Sequence, residues 1–341
     1  MLDYDQFPFR WFNHRTLHCL IVINKKRWSR AERMKQSIIG MIKKIQQYLK
    51  RVAAQQDPSI QERNVFLEFR PPGHFYSPIP SMDEIMRNEK KIWGELPLTI
   101  AGVDLNTNEQ LDLLRQMERY YHEIPFEAEK KQGLRYYFNN SAYSYSDAIF
   151  LYCMIRHTQP QRIIEVGSGY SSCVMLDTSE LYFNGNIQCS FIEPYPELLK
   201  SLINNSDESS ITIHESPVQD VPIDTFKSLR SNDILFIDST HVSKIHSDVN
   251  YIIHEILPAL HHGVYIHFHD ISYPFEYSKE WVMEGRAWNE QYVLRAFLEY
   301  NSQFKIVLFN TYVESLYADK MINTFPLAFK NTGGSIWLRK I

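Results

Sequence analysis

From Ser146 to the end of the chain, short apolar runs alternate with stretches whose apolar residues recur every three or four positions. The first kind is spaced like strands, the second like helices. Asp147–His157 is predicted as an apolar helix closed by Thr-Gln-Pro, with Arg162–Val166 as the strand after it. A helix over about 172–181, a strand over 187–192, a helix over 196–203 and a short strand at 211–214 follow. Residues 233–238, Asp-Ile-Leu-Phe-Ile-Asp, form a nearly continuous apolar run, the pattern of a strand buried on both faces. A helix over 248–260 stops at His-His-Gly, and 263–269 reads as another strand. Two late strands, at 304–309 and 334–339, have no obvious crossover helix between them. The pattern predicts an α/β fold: a doubly wound, mostly parallel, Rossmann-like sheet with an antiparallel hairpin at its C-terminal edge.

The first 130 residues read differently, as a mainly helical and irregular extension ahead of a sheet-bearing domain over 131–341. Between Lys25 and Arg51 nearly every charge is positive, while Ile38, Ile42, Ile45 and Leu49 recur at helical spacing. Such a helix suits peripheral contact with an anionic membrane surface. The simpler reading packs its apolar stripe on the body of the protein or on a second subunit, as in a homo-oligomer. Gln-Gln-Asp-Pro at 55–58 ends it. Residues 64–70 suggest a short strand, and the proline-rich segment at 71–81 an extended lid, a substrate wall or a rigid linker. A helix is expected over Leu111–Tyr121.

Composition narrows the class. With 341 residues, 44% hydrophobic and 14% aromatic, the chain can bury a sizeable core. A net charge of −4 gives no reason to expect nucleic acid as a partner. Cys19, Cys153, Cys173 and Cys189 have no metal-like spacing, and Cys173 and Cys189 suit reduced core residues of a cytoplasmic protein. The apolar run Leu17–Ile23 is far shorter than the roughly 20 residues that cross a bilayer.

The chemistry concentrates at strand ends. Arg-Ile-Ile-Glu-Val-Gly-Ser-Gly-Tyr-Ser-Ser at 162–172 is a strand, a tight turn and a helix start, the geometry that brings backbone close to a nucleotide-like ligand. Alone this signal is weak. It gains weight because Glu193, Asp238 and Asp270 each end a later strand, where open α/β sheets bind ligands. Ser172 stands where a dinucleotide fingerprint has its third glycine, which argues against NAD.

This ordered set resembles the class I S-adenosylmethionine (SAM)-dependent methyltransferases. Within them it resembles bacterial metal-dependent O-methyltransferases of the macrocin type, over residues 135–341. The resemblance implies SAM as methyl donor and a small-molecule or glycan hydroxyl as acceptor. Gly167 and Gly169 would let the turn approach SAM, with Ser168, Ser171 and Ser172 offering hydroxyls. Glu165 would take the ammonium of the methionine portion, directly or through water, and Glu193 the two ribose hydroxyls. The family pattern places Gln219 and Asp220 near the adenine. It also implies a divalent metal (magnesium, manganese or iron) held by Asp238, His269 and Asp270, with His241 as the base. His269 departs from the family's carboxylate there, shifting preference away from magnesium.

Other readings remain open. His267 shares a strand face with His269 and reads as a buried, hydrogen-bonded core histidine; His254, His261 and His262 read as solvated or capping. Two histidines and an acid also suit a non-haem iron oxygenase, and a non-catalytic SAM-binding protein would keep the same fold. Trp281, Trp288 and Tyr292, with Tyr273, Phe275 and Tyr277, form an aromatic segment that either stacks on an acceptor or fills the core.

Overall fold

A computed structural model describes residues 65–204, 207 and 211–341. The expected basic helix, Cys19 and the run Leu17–Ile23 lie outside these residues. The chain divides into two compact units, Met1–Pro78 and Ile79–Ile341. In the first, Val65–Phe69 is a helix rather than the expected strand. Beyond it the chain turns twice, with His74 N–H donating to Pro71 O and Ser77 N–H to His74 O.

The second unit holds a seven-stranded sheet. Its strands are β1 (Arg162–Val166), β2 (Gln188–Ile192), β3 (Thr212–His214), β4 (Ile234–Ile237), β5 (Tyr265–His269), β6 (Phe304–Phe309) and β7 (Ser335–Lys340), in the order β3-β2-β1-β4-β5-β7-β6. The first five are parallel, and β7 runs antiparallel to both β5 and β6. The late strands therefore pair as expected, with β7 inside and β6 at the edge. Two short helices within residues 310–334 join them in place of a tight turn. Every residue of β4 is buried, as its apolar run requires at the centre of a covered sheet.

Four longer helices frame the sheet: α1 (Thr107–Tyr121), α2 (Tyr145–Thr158), α3 (Tyr170–Phe183) and α4 (Glu290–Leu298). Because α2 is apolar on nearly every side, it lies buried between α1 and α3. It ends where Gln159 adopts a left-handed φ of 50° just before Pro160, which cannot continue a helix. The helix expected over 248–260 passes through a π-helical stretch at Ile252–Ile256.

The domain boundary expected between residues 130 and 131 falls inside this unit. Residues 79–130 belong to it because they cover the exposed edge of β6. Gln110 Oε1 accepts from Phe309 N–H at 2.7 Å, and Asn106 Nδ2 donates to Ile306 O at 3.3 Å. An edge strand left bare would be free to pair with another chain. Arg135, buried, adds a second tie: it reaches Asp177 of α3 at 2.7 Å and Asp207 at 2.6 Å. Cys153, Cys173 and Cys189 are buried free thiols. Among the described residues no helix is long and apolar enough to cross a membrane.

Candidate active site

The strand order reverses between β1 and β4, and the chain opens there at the strands' C-terminal ends, where such sheets bind ligands. A cavity of about 350 Å³ occupies the place, within the size range of small-molecule sites. Val166 at the end of β1, Gly167 just after it, Glu193 after β2, Gln219 after β3 and Asp238 after β4 all line it. Gly167 has a left-handed φ of 79°, and a Cβ there would lie 2.0 Å from Asp238 O. Only glycine lets the two chains approach so closely.

Glu193 is well prepared for ribose. Its Oε2 accepts from Ser168 N–H at 3.2 Å and its Oε1 from Tyr195 N–H at 2.8 Å. Each oxygen thus keeps a lone pair for a further donor, and two neighbouring hydroxyls match that pattern. Val166, Ile192, Pro194 and Val218 supply apolar wall. This donor set fits an adenosine-bearing ligand such as SAM. Gln219 lines the cavity and donates to His246 O at 2.8 Å, whereas Asp220 is exposed and does not line it.

Glu165, Ser171 and Ser172 are not among the residues lining this cavity. Glu165 is fully buried, and the Ser171 and Ser172 hydroxyls donate to its two oxygens. Ser172 Oγ also accepts from Gly169 N–H at 3.1 Å, which closes the turn at the start of α3. Glu165, expected to take the SAM ammonium directly or through water, is not among the residues lining the cavity, whereas its strand neighbour Val166 is. Burial, partly offset by the serine hydroxyls, pushes the Glu165 carboxyl up to about 8. A group neutral at pH 7 tolerates an amide: Glu165→Gln should leave stability and SAM affinity within about 1 kcal/mol. Thermal denaturation and calorimetry check this, and a tenfold loss of affinity would return Glu165 to the ligand.

Beside the cavity, two imidazoles and three carboxylates meet. His241 Nε2 lies 3.4 Å from Asp238 Oδ1 and 3.6 Å from Asp270 Oδ2, and His269 Nε2 lies 3.5 Å from Asp270 Oδ1. On its other side His241 Nδ1 contacts Glu290 Oε2 at 2.8 Å. His241 and Asp270 have left-handed φ values of 60° and 56°, the kind of strain that collects at functional sites. Burial acts against the charge on His241, but Asp238 and Glu290 outweigh it and raise the imidazole to about 10. Burial pushes the Asp238 carboxyl up, and His269 and His241 more than offset this, holding it below the usual range. His269 is likewise raised, its burial overcome by Asp270, Asp238 and Asp147.

The expected metal ligands Asp238, His269 and Asp270 do come together, but as charge pairs. Asp270 divides its two oxygens between the two imidazoles. Among the described residues no group of three or more His, Cys, Asp or Glu side chains is placed to hold a metal ion. The arrangement does not fit the expected ligand set, and no step below is routed through a metal. His267 departs from expectation too. It is buried, stacked on Phe236 at 4.1 Å and edge-on to Trp337 at 4.6 Å, and neither ring nitrogen has a hydrogen-bond partner. Burial holds it well below the usual histidine range, so packing of a neutral ring keeps it there. His254, His261 and His262 are exposed.

The aromatic segment divides between both expected roles. Tyr273, Phe275 and Tyr277 are core, while Trp281 and Trp288 are half-buried. The Trp288 ring lies 4.4 Å from that of His241, and Trp281 packs edge-on to Trp288 at 5.4 Å. Sequence reasoning missed Glu290 and Ser239. Nothing local links Glu290 to a histidine 49 residues earlier.

Residues 164–271 match a family described as a methyltransferase domain. An uncharacterized protein of Archaeoglobus fulgidus is 36% identical over 169 residues, covering 48% of this chain and 75% of the archaeal protein. Among solved structures, the chain is similar to the O-methyltransferase TomG from Streptomyces achromogenes in complex with SAM. That match has a TM-score of 0.40 and 14% identity, over 75% of this chain and 96% of TomG. It is also similar to an O-methyltransferase from Bacillus cereus, with a TM-score of 0.37 and 11% identity over 76% of this chain and 97% of the other. At these scores the structural likeness carries no inference about substrate. The chain belongs to one family with the archaeal protein, and its residues 164–271 match a methyltransferase domain.

Proposed function

We propose that the protein transfers the SAM methyl group to a hydroxyl of a sugar, a glycan or a glycosylated small molecule, with His241 taking the hydroxyl proton. The observation that carries this reading is the adjacency of the two half-sites. Asp238 lines the donor cavity and lies 3.4 Å from His241 Nε2, so donor and base share one wall. SAM when bound supplies an electrophilic methyl group on a sulfonium. The acceptor oxygen forms a bond to that carbon as the carbon–sulfur bond breaks, and the hydroxyl proton passes to His241 Nε2.

The acceptor class follows from what surrounds the base. Asp238 and Asp270 present carboxylate oxygens that accept from hydroxyls, and Trp288 with Trp281 offers an apolar ring surface beside them. Hydroxyl acceptors next to an indole face suit a sugar ring, which is polar at its edge and apolar across its face. The charge on His241 must leave before the ring can take a proton. A sulfonium bound beside Asp238 adds a positive charge and works in that direction.

Labelled SAM incubated with a panel of monosaccharides, glycosides and catechols tests the reading. Label should appear on a sugar hydroxyl, and should survive a chelator. Transfer to nitrogen or carbon acceptors alone would overturn the acceptor class. Loss of transfer in chelator, with SAM binding retained, would give the acceptor hydroxyl to a cation in place of His241.

A further inference from the structure

We propose that Glu290 is a positioning residue that fixes the His241 ring, through a strap fastening the loop after β4 to the start of α4. The proposal deepens the reading of His241 as proton acceptor and rests on it. Both oxygens of the buried Glu290 carboxylate are engaged: Oε2 with His241 Nδ1 at 2.8 Å, and Oε1 with the Ser239 hydroxyl, which donates at 2.8 Å. Ser239 Oγ in turn accepts from His241 N–H at 3.0 Å. The His241 carbonyl accepts from the N–H groups of Asn289 and Glu290 at 3.0 and 3.1 Å. Asn289 completes the strap, its Oδ1 accepting from Ser243 N–H at 2.6 Å and its Nδ2 donating to Ser243 O at 3.2 Å.

These contacts account for the left-handed φ of 60° at His241, a conformation that a bulky residue keeps only when its surroundings fix it. They also decide which nitrogen works. A carboxylate can only accept, so Nδ1 carries a proton towards Glu290, and Nε2 is the nitrogen that exchanges one. Nε2 is the nitrogen that faces Asp238 and Asp270. Trp288 lies over the same ring, and a flip that broke the Nδ1 contact would have to move against it. Ser239 also lines the donor cavity, so the strap runs from the SAM site to the base without a break.

Nuclear magnetic resonance of protein labelled with ¹⁵N-histidine tests this without any acceptor, with His241→Gln assigning the signals. In the wild type the His241 Nδ1 proton should be present at pH 7 and slow to exchange with solvent. Glu290→Gln keeps the side chain's size but sets an amide against two donors. Its Nδ1 proton should exchange at least tenfold faster, while the thermal midpoint stays within about 5 °C. Glu290→Asp should recover part of the protection. A His241 ring with bare Nδ1, or Glu290→Gln signals that superimpose on the wild type, would overturn the proposal. Should Glu290→Gln fail to fold, Ser239→Ala removes the second contact to the carboxylate and the acceptor of the His241 N–H, while leaving Glu290 against Nδ1. It must raise the exchange of the same proton, and an unchanged rate would likewise overturn the proposal. Failure to find methyl transfer would sink the proposed function and leave these spectra standing, so the two outcomes are distinguishable.

Discussion

Replacing His241 with glutamine should lower kcat by about 10²–10⁴-fold, the usual contribution of a positioned base. SAM affinity should not fall, since the proposed donor cavity is lined by Val166, Gly167, Glu193, Gln219 and Asp238 and not by His241, and removing the imidazole's charge can only favour a bound sulfonium. Steady-state kinetics on a sugar acceptor and calorimetry with SAM alone separate the two effects. If the glutamine variant keeps wild-type kcat, the proton leaves by another route.

The pH dependence sharpens this expectation. An ordinary histidine titrates near 6.5, but His241, between Asp238 and Glu290, is raised to about 10. In the free enzyme the neutral ring therefore gains tenfold for each pH unit up to that value. The acidic limb of kcat/KM should extend towards pH 10, and His241→Gln should flatten it. An acidic limb centred near 6.5 would mean that the ring does not hold its proton against these carboxylates. Stability follows the same sign. A histidine whose folded value lies above its unfolded one stabilises the protein fully below about 6.5. That contribution is lost as pH rises through about 10, so urea midpoints of wild type and variant should converge in strong base.

The sheet was legible because its signals are local. The apolar run ending at Asp238 and the glycine turn at 167–169 each specify an element within a few residues. Val65–Phe69 was misread for the same reason: four apolar or aromatic residues around Glu68 fit a strand or a helix turn equally well. What joins residues 79–130 to the sheet is a set of side-chain contacts with β6, about 200 residues away, which no local pattern shows. In the site, the acids at the strand ends could be found by position alone. The inward turn of Glu165 was recoverable from strand alternation beside a cavity-facing Val166. Glu290 was not recoverable, because its meaning lies in a partner that only the fold brings near. Nor could sequence reveal how Asp270 shares its oxygens between two imidazoles, which decides whether the cluster reads as charge pairs or as a metal site.

Glu193→Ala should weaken SAM binding by at least tenfold while leaving the His241 cluster intact. Two ribose hydroxyls on a carboxylate are charge-assisted bonds worth about 1.5–3 kcal/mol each. The loss of one alone corresponds to about a tenfold change or more, and of both to a hundredfold or more. Glu193 also holds the amides of Ser168 and Tyr195, so part of any loss comes from a loosened turn. Glu193→Gln separates the two. Its amide oxygen can keep one backbone N–H and one hydroxyl, but its NH₂ group cannot accept from the other pair. Calorimetry should therefore place Gln between wild type and Ala for SAM. For methionine, which has no ribose, no affinity should be lost beyond the effect of the loosened turn. Equal losses for SAM and methionine would mean that Glu193 acts only through the turn. Unchanged SAM affinity in both variants would move the adenosine out of this cavity altogether.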